Sequence, residues 1–461
     1  MALTDRQLEY ISDALVPLFQ YLEEQVIIDV AKRIKDTLAY SRTAELEAES
    51  LQRLGYSPAK IRRAAMKILR ADKEFQKAVA QNTIEHRKKV RELLKKITKE
   101  AIDASGKLIE HAASASQIDD LRIWKEHGKE LEDDSFLPQL VEAFKAQTKG
   151  ALTNLTGTTG FKMMSGFESM EDLYRRELDK ALIKICTGTF SSELVVYETI
   201  KSLAKSGLRT IDFGTGRSMQ LDTAVKLAVR TGAHQLSGRI MDHNIANTGV
   251  QLVYVSKHWG ARNKGTGHKN HQEWQGKIYR VSSEDYEDYT DESIRVGQES
   301  IEPLWEATGY NINTSFEEDD YLLDGDSREN DPNGLYGYNC RHRHYPWFLG
   351  SSEMPEDDPE PQALTIDGKT YDYYAITQKM RYMERKIRAM KREREALKAL
   401  RQDTATISKD IKQKISDYKD FCKAAKVNPD INRLRYECGT SDLTKTTAWK
   451  RYGEITSEID E

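Results

Sequence analysis

The chain has 461 residues and a formal net charge of −4, which excludes a single small core and any global basic field directed at nucleic acid. Charged residues make up 31% and the apolar set 38%, a balance suited to long helices with one packed face rather than to one large globular enzyme. Four scattered cysteines without a CxxC pair, no basic segment leading into an apolar run, and no stretch near the roughly 20 apolar residues of a membrane span predict a soluble protein made in the cytoplasm.

Residues 1–150 are expected to form an N-terminal helical region. Ile11, Leu15, Leu18 and Leu22 follow 4-3-4 spacing, and Val26, Val30 and Ile34 continue the stripe. Gly55-Tyr56-Ser57-Pro58 breaks it; Ser57 can cap and Pro58 can take the first helical position of a second helix carrying Ile61, Ala65, Ile68 and Leu69. A third stretch, Phe75 to Ile109, repeats the habit with Val79, Val90, Leu93, Leu94 and Ile97. From Ser114 to Gly166 the pattern weakens, and small residues, Pro138 and the run LTNLTGTTG predict loops. Residues 151–248 are expected to be a helical connecting region. It has helices from Met170, from Ser191 to a stop at Gly207, and from Ser218 to Thr231. The Gly214-Thr215-Gly216 turn lacks the third glycine and the Lys-Ser/Thr of a phosphate loop and reads as an ordinary turn.

Residues 249–350 change texture and predict a compact α+β module. Gly249 to Ser256 reads as a strand, and Ile278 to Val281 as a second. The acidic run to Asp326, with Tyr286, Tyr289 and Trp305, reads as short helices and loops; Glu317, Glu318, Asp319 and Asp320 read as a solvated turn. Residues 351–361, SSEMPEDDPEP, form an acidic, Pro-rich linker. Residues 362–461 are expected to be a C-terminal helical region. Met380, Met383, Ile387, Met390 and Leu397 step along one face of its first helix. Arg381, Arg385, Lys386, Arg388, Lys391 and Arg392 are expected on the exposed faces, where they can neutralise duplex phosphates. A second helix through Ile407, Ile411, Ile415, Tyr418 and Phe421 ends at Asn428-Pro429. The fold class is therefore mainly α with a small α+β central module: long N-terminal helices, a His/Cys/Trp-rich module, then charged C-terminal helices.

Five of the ten histidines, His258, His268, His271, His342 and His344, fall in the central module with Cys340. Zinc accepts such mixed N and S donors, four of them in a closed structural site. The expected set is His258, His271, Cys340 and His342. The spacing matches neither a standard zinc finger nor an HExxH pair. Two readings stay open: a structural zinc, or histidines that hydrogen-bond loop backbone beside a small buried Cys340. A Cys–His nucleophile lacks an identifiable orienting Asn or Asp.

The string from Val253 to Tyr279 resembles the central signature of the phage minor capsid protein 2 family. It carries Ser256-Lys-His258, Gly260-Ala261-Arg262, His271 and Trp274-Gln275-Gly276-Lys277. Asn339-Cys340-Arg341-His342, the helix with Leu221-Asp-Thr-Ala-Val-Lys and Arg230-Thr-Gly-Ala-His-Gln, and the run from Tyr374 to Lys391 also resemble that family. Between Arg262 and His271 the loop NKGTGHKN is longer than usual, so His271, not His268, holds the matching position. The resemblance implies a minor head protein of a tailed phage or prophage, similar in role to Mu F-like head proteins. It would sit in the capsid interior near the portal, with the portal and other capsid proteins as partners and packaged double-stranded DNA as a non-specific one. The alternative is a metal-dependent enzyme or injected effector carried in the virion; the charged helices after the module add no separate toxin domain.

Overall fold

Thr4 and Gln7 cap each other reciprocally, side chain to backbone in both directions, and so start α1 (Asp5–Asp13). The computed structural model describes residues 3–131, 136–164, 166–212, 216–281, 297–312, 329–356 and 359–460. After a break at Ala14–Leu15 the chain enters α2 (Val16–Leu38). The expected stripe is core: Ile11, Leu15, Leu18, Leu22, Val26, Val30 and Ile34 are all fully buried. α3 (Arg42–Arg53) and α4 (Pro58–Ala71) form a hairpin. Pro58 takes the first helical position as expected, although Ser57 makes no side-chain cap bond. Asp72 caps α5 (Lys73–Glu126), accepting from Phe75 N at 3.0 Å.

Here the structure corrects the sequence reading. α5 runs for 54 residues, and α6 (Phe136–Gly157) fills most of the remaining stretch expected as loops. The apolar stripe fades because the helices approach closely, and only small residues fit. Ala101, Ala104, Ala112, Ala113 and Ala115 are buried along α5. β1 (Thr159–Met163), β2 (Gly166–Ser169), α7 (Leu173–Ile185), α8 (Ser192–Ser206), β3 (Leu208–Ile211) and β4 (Ser218–Gln220) follow. The strands form an antiparallel sheet in the order β2-β1-β3-β4, which the sequence reading did not anticipate. α9 (Leu221–Thr248) is twice the expected length. A Cβ on its Gly232 would meet Thr148 Oγ1 of α6 at 2.7 Å, so glycine permits that approach. Gly214 and Thr215 lie outside the described residues, as do Tyr286, Tyr289 and the carboxylates from Glu317 to Asp320.

The central module contains β5 (Leu252–Val255), α10 (His271–Trp274), β6 (Ile278–Arg280), α11 (Leu304–Thr308) and β7 (His344–Pro346). Its sheet has the order β6-β5-β7, all antiparallel. Val253, Trp274, Tyr279, Leu304, Tyr310 and Leu335 make its core, and Trp124 of α5 with Met241 and Ile245 of α9 close that core from the helical side. A hairpin of β8 (Leu364–Ile366) and β9 (Lys369–Tyr371) precedes α12 (Tyr373–Ala399), α13 (Ala405–Ala424) and α14 (Thr447–Asp460). The main apolar core runs from Leu3 to Ile240 and takes in Ala396, Leu397, Tyr452 and Ile455 of the tail. The expected boundary at residue 150 falls inside α6. The acidic linker returns to the module: Glu360 accepts from Gly260 N at 3.1 Å and from Gln272 Nε2 at 3.0 Å. The architecture is mainly α with a small α+β module.

Where α5 meets α9, Asp120 is fully buried. Its Oδ2 accepts from Asn244 Nδ2 at 2.8 Å, and its Oδ1 has no hydrogen-bond partner among the described residues. Burial pushes this carboxyl up to about 7, against the Asn244 hydrogen bond. The folded state then holds a proton that the unfolded state has lost, so this group lowers stability as pH rises from about 4 to about 7. Asp120→Asn is expected to raise the thermal midpoint clearly at pH 8 and little at pH 4. A shift of equal size at both pH values would contradict the assignment.

Candidate metal centre

His271 opens α10, and Cys340 and His342 lie on the extended segment that leads into β7. The fold brings these three together. Each offers a donor atom, and those atoms all lie within 4.8 Å of one another. All three residues are buried, and His342 Nδ1 is 3.6 Å from Cys340 Sγ. His258 is adjacent but differently posed. Its ring stacks on His342, with centroids 4.3 Å apart and planes at 25°, and its Nδ1 donates to Trp259 O at 2.9 Å. A stacked ring presents its face, not its in-plane lone pair, to its neighbour.

The outer nitrogens of the two inner histidines are already fixed. His271 Nε2 donates to Asn333 O at 2.8 Å, and His342 Nε2 donates to Gln275 Oε1 at 2.9 Å. Gln275 Oε1 also accepts from His258 N at 3.1 Å. Carbonyl oxygens only accept, so each ring carries its hydrogen on Nε2 and keeps a lone pair on Nδ1. This is the way metal-ligating histidines are held by the groups behind them. Burial drives His271 down to about 4 and His342 well below its ordinary value, with the neighbouring His258 and His271 adding to the latter. Both imidazoles are therefore neutral donors. Burial also pushes the Cys340 thiol up to about 11; a divalent cation at the cluster would reverse that and favour the thiolate. An N, N, S donor set suits zinc. Two imidazoles and a sulfur supply three ligands.

The remaining signature residues build the walls. Trp274 meets His342 edge-on at 4.7 Å and donates to His268 O at 3.1 Å. Arg262 donates to Tyr338 O at 2.9 Å and so pins the loop before Cys340. Gly276 turns the chain at φ +71°, and Lys277 O accepts from Val255 N at 2.9 Å. Asn339 adopts φ +61°, a conformation Asn tolerates better than most residues. Arg341 adds positive charge near His258 and His342. His268 stands in another corner, on Asp331 Oδ2 at 3.2 Å and Glu306 O at 3.0 Å.

Sequence reasoning missed a second polar centre. His344 is fully buried. Its Nε2 is 3.1 Å from Asp242 Oδ1, and its Nδ1 is 3.1 Å from Tyr336 Oη. Asp242 Oδ2 also accepts from Tyr310 Oη at 2.7 Å and Arg239 Nη1 at 3.0 Å. Gly238 lets the Tyr336 ring lie on α9, since a Cβ there would meet Tyr336 Cζ at 2.8 Å. Asp242 and Tyr336 lie nearly a hundred positions apart, so no local spacing could have signalled the set.

The basic face of α12 is also corrected. Arg392 is buried, bonded to Glu23 and to Ala204 O. Arg388 donates to Arg433 O at 2.7 Å and Lys391 to Leu434 O at 2.6 Å, so the segment around residue 433 covers that side. Arg381 is half-buried, whereas Arg385 and Lys386 are exposed.

A family model described as phage minor capsid protein 2 matches residues 3–423, nearly the whole chain. No curated protein and no solved structure gives a significant match.

Asp242 joins α9 to the module, and its loss would leave the buried Tyr310 hydroxyl and Arg239 without their shared acceptor. Asp242→Ala is expected to cost about 3–5 kcal/mol in denaturant unfolding. A change under about 1 kcal/mol would show that the network is not what fastens the module.

Proposed function

The chain belongs to the phage minor capsid protein 2 family, and on that premise we propose that it is an internal, portal-associated component of a tailed-phage head. A structural role in the capsid follows from the family; the interior position and the portal contact are the proposal. The observation that carries it is the reach of the match. It takes in the helical body, the central module, α12 and nearly all of α13, so the likeness concerns the whole architecture and not one borrowed module. Leu46 on α3 and Ile84, Ile118 and Leu121 on α5 are exposed and offer apolar contact to other head proteins. Arg385 and Lys386 are the side chains of the basic helix best placed to touch packaged double-stranded DNA without specificity. Among the described residues no helix is long and apolar enough to cross a membrane.

A density map of the virion is expected to place this chain inside the head beside the portal, and purified chain is expected to retain portal in a pull-down. A chain found on the outer shell, with no portal retained, would sink the proposal.

The reading includes a zinc ion held by His271, Cys340 and His342 that staples a loop-rich module. Purified protein is expected to carry about one zinc per chain, to lose it in Cys340→Ser, and to melt earlier after chelation. Protein purified without metal, whose midpoint zinc does not raise, would refute the site. The three-donor set also favours one alternative, a metal-dependent enzyme or injected effector, because catalytic zinc keeps an open position. In the cobalt-substituted protein, a spectrum unchanged by added azide supports a closed site, whereas a shift supports the enzyme.

A further inference from the structure

Nine arginine and lysine side chains but only four carboxylates line a cavity of about 370 Å³ between α1–α2, α9, α12 and the segment from Asn432 to Arg451. The carboxylates are already engaged. Asp13 pairs with Lys226, and Asp222 with Arg388; Glu384 accepts from Tyr418 Oη, and Glu437 from Thr447 N. The cations outnumber these carboxylates. Arg230 is 8% exposed, and its Nε and Nη2 have no hydrogen-bond partner among the described residues. Its nearest carboxylate, Glu9, stands 3.9 Å away. Burial and the neighbouring Arg341 lower its affinity for its own proton, to about 10. Arg381 faces the same cavity and is lowered to about 10 by burial and by the charges of Arg433, Arg341 and Arg230. Buried guanidinium groups that repel one another are costly unless something anionic joins them.

The geometry points to this cavity as a binding site for a phosphate ester, held between Arg230 and Arg381. Phosphate is favoured over carboxylate by number: even with Glu9 and Asp430, which pair with Lys226, Arg230 and Arg433 from behind the lining, the nine cations exceed the carboxylates by three, and one carboxylate supplies a single negative charge. Guanidinium forks match phosphate oxygens in pairs, and these stand on more than one side of the cavity. The volume suits a small ligand and is too confined for a duplex. Val16, Pro17, Met219 and Leu227 add an apolar wall, which suits an organic part attached to the phosphate. A free nucleotide and the end of a single strand share this chemistry. The site stands whether or not the chain meets portal or duplex DNA.

Calorimetric titration of the full chain at low salt with inorganic tripolyphosphate, a deoxynucleoside triphosphate and a short single-stranded oligodeoxynucleotide tests it. At least the triphosphate is expected to bind, and to weaken about tenfold or more in Arg381→Gln and in Arg230→Gln. Lys77→Gln, at an exposed position of α5 outside the cavity, leaves binding unchanged. Arg381→Gln removes a repelled charge, so its thermal midpoint without ligand is expected to equal or exceed that of the natural chain; this separates lost binding from lost folding. An oligonucleotide that competes with the triphosphate identifies a strand end as the source, and triphosphate binding alone identifies a free nucleotide. Absence of triphosphate binding overturns the site, as does triphosphate binding that survives both arginine variants.

Discussion

Glu23 and Arg392 lie 369 positions apart and are both buried, and the joining of the tail to the N-terminal helices turns on them. Glu23 of α2 accepts from Arg392 of α12, from the backbone N of Leu208 at the start of β3, and from Tyr436 Oη. Arg392 in turn donates to Ala204 O at the end of α8 and lies over the Tyr436 ring at 5.7 Å. Burial works against the carboxylate, and Arg392 opposes it. A charge pair out of water survives only when its remaining donors and acceptors are met, and here three separate segments, through Ala204, Leu208 and Tyr436, supply partners. Gly207 belongs to the same constraint. It turns at φ +66°, and a Cβ there would stand 2.7 Å from Arg392 Nη1. The glycine thus both ends α8 and leaves room for the guanidinium.

α9 carries the second constraint. Its first half packs Leu221, Val225, Val229, Ala233 and Leu236 into the main core. Its second half turns Met241 and Ile245 into the core of the module, with Asp242 accepting from Tyr310 and standing 3.1 Å from His344 Nε2. One rigid helix thus belongs to both cores, and the position of the His271–Cys340–His342 cluster follows from it. The sheet strand that carries His344 is fixed to α9, and Cys340 and His342 are a few residues upstream on the same segment.

The legible parts of this chain are those in which one segment explains itself. The stripes of α2, α4 and α12, the two sheet strands and the stop at Gly207 were visible because apolar spacing, proline and glycine act locally. The continuation of α5 was not, because close helix packing replaces large apolar residues by alanine and serine and erases the stripe. The short strands β1 to β4 were not, because Gly-Thr-Thr-Gly and Met-Ser-Gly look like turns until neighbouring strands pair with them. Arg392 was misplaced for a related reason. A charge on a helix is ordinarily exposed, and only a distant Glu23 makes its burial tolerable. Of the expected donor set, the fold gathers His271, Cys340 and His342 and leaves His258 stacked beside them, a distinction of ring pose that no sequence carries.

The segment Cys340-Arg341-His342-Arg343-His344, which leads into β7, ties these features together through alternation. Successive side chains of an extended chain point to opposite sides. Cys340, His342 and His344 go inward, two to the cluster with His271 and one towards Asp242. On the other side, Arg341 adds its charge to those on Arg230 and Arg381 and Arg343 reaches Asp5 of α1 at 3.3 Å, while Asn339, turning just before the segment, lines the basic cavity. The two parities of one short segment therefore serve two different sites. A one-residue slip would place arginines beside His271 and imidazoles towards the cavity, so the pairing of β7 with β5 (Val255 opposite His344) sets the chemistry of both at once.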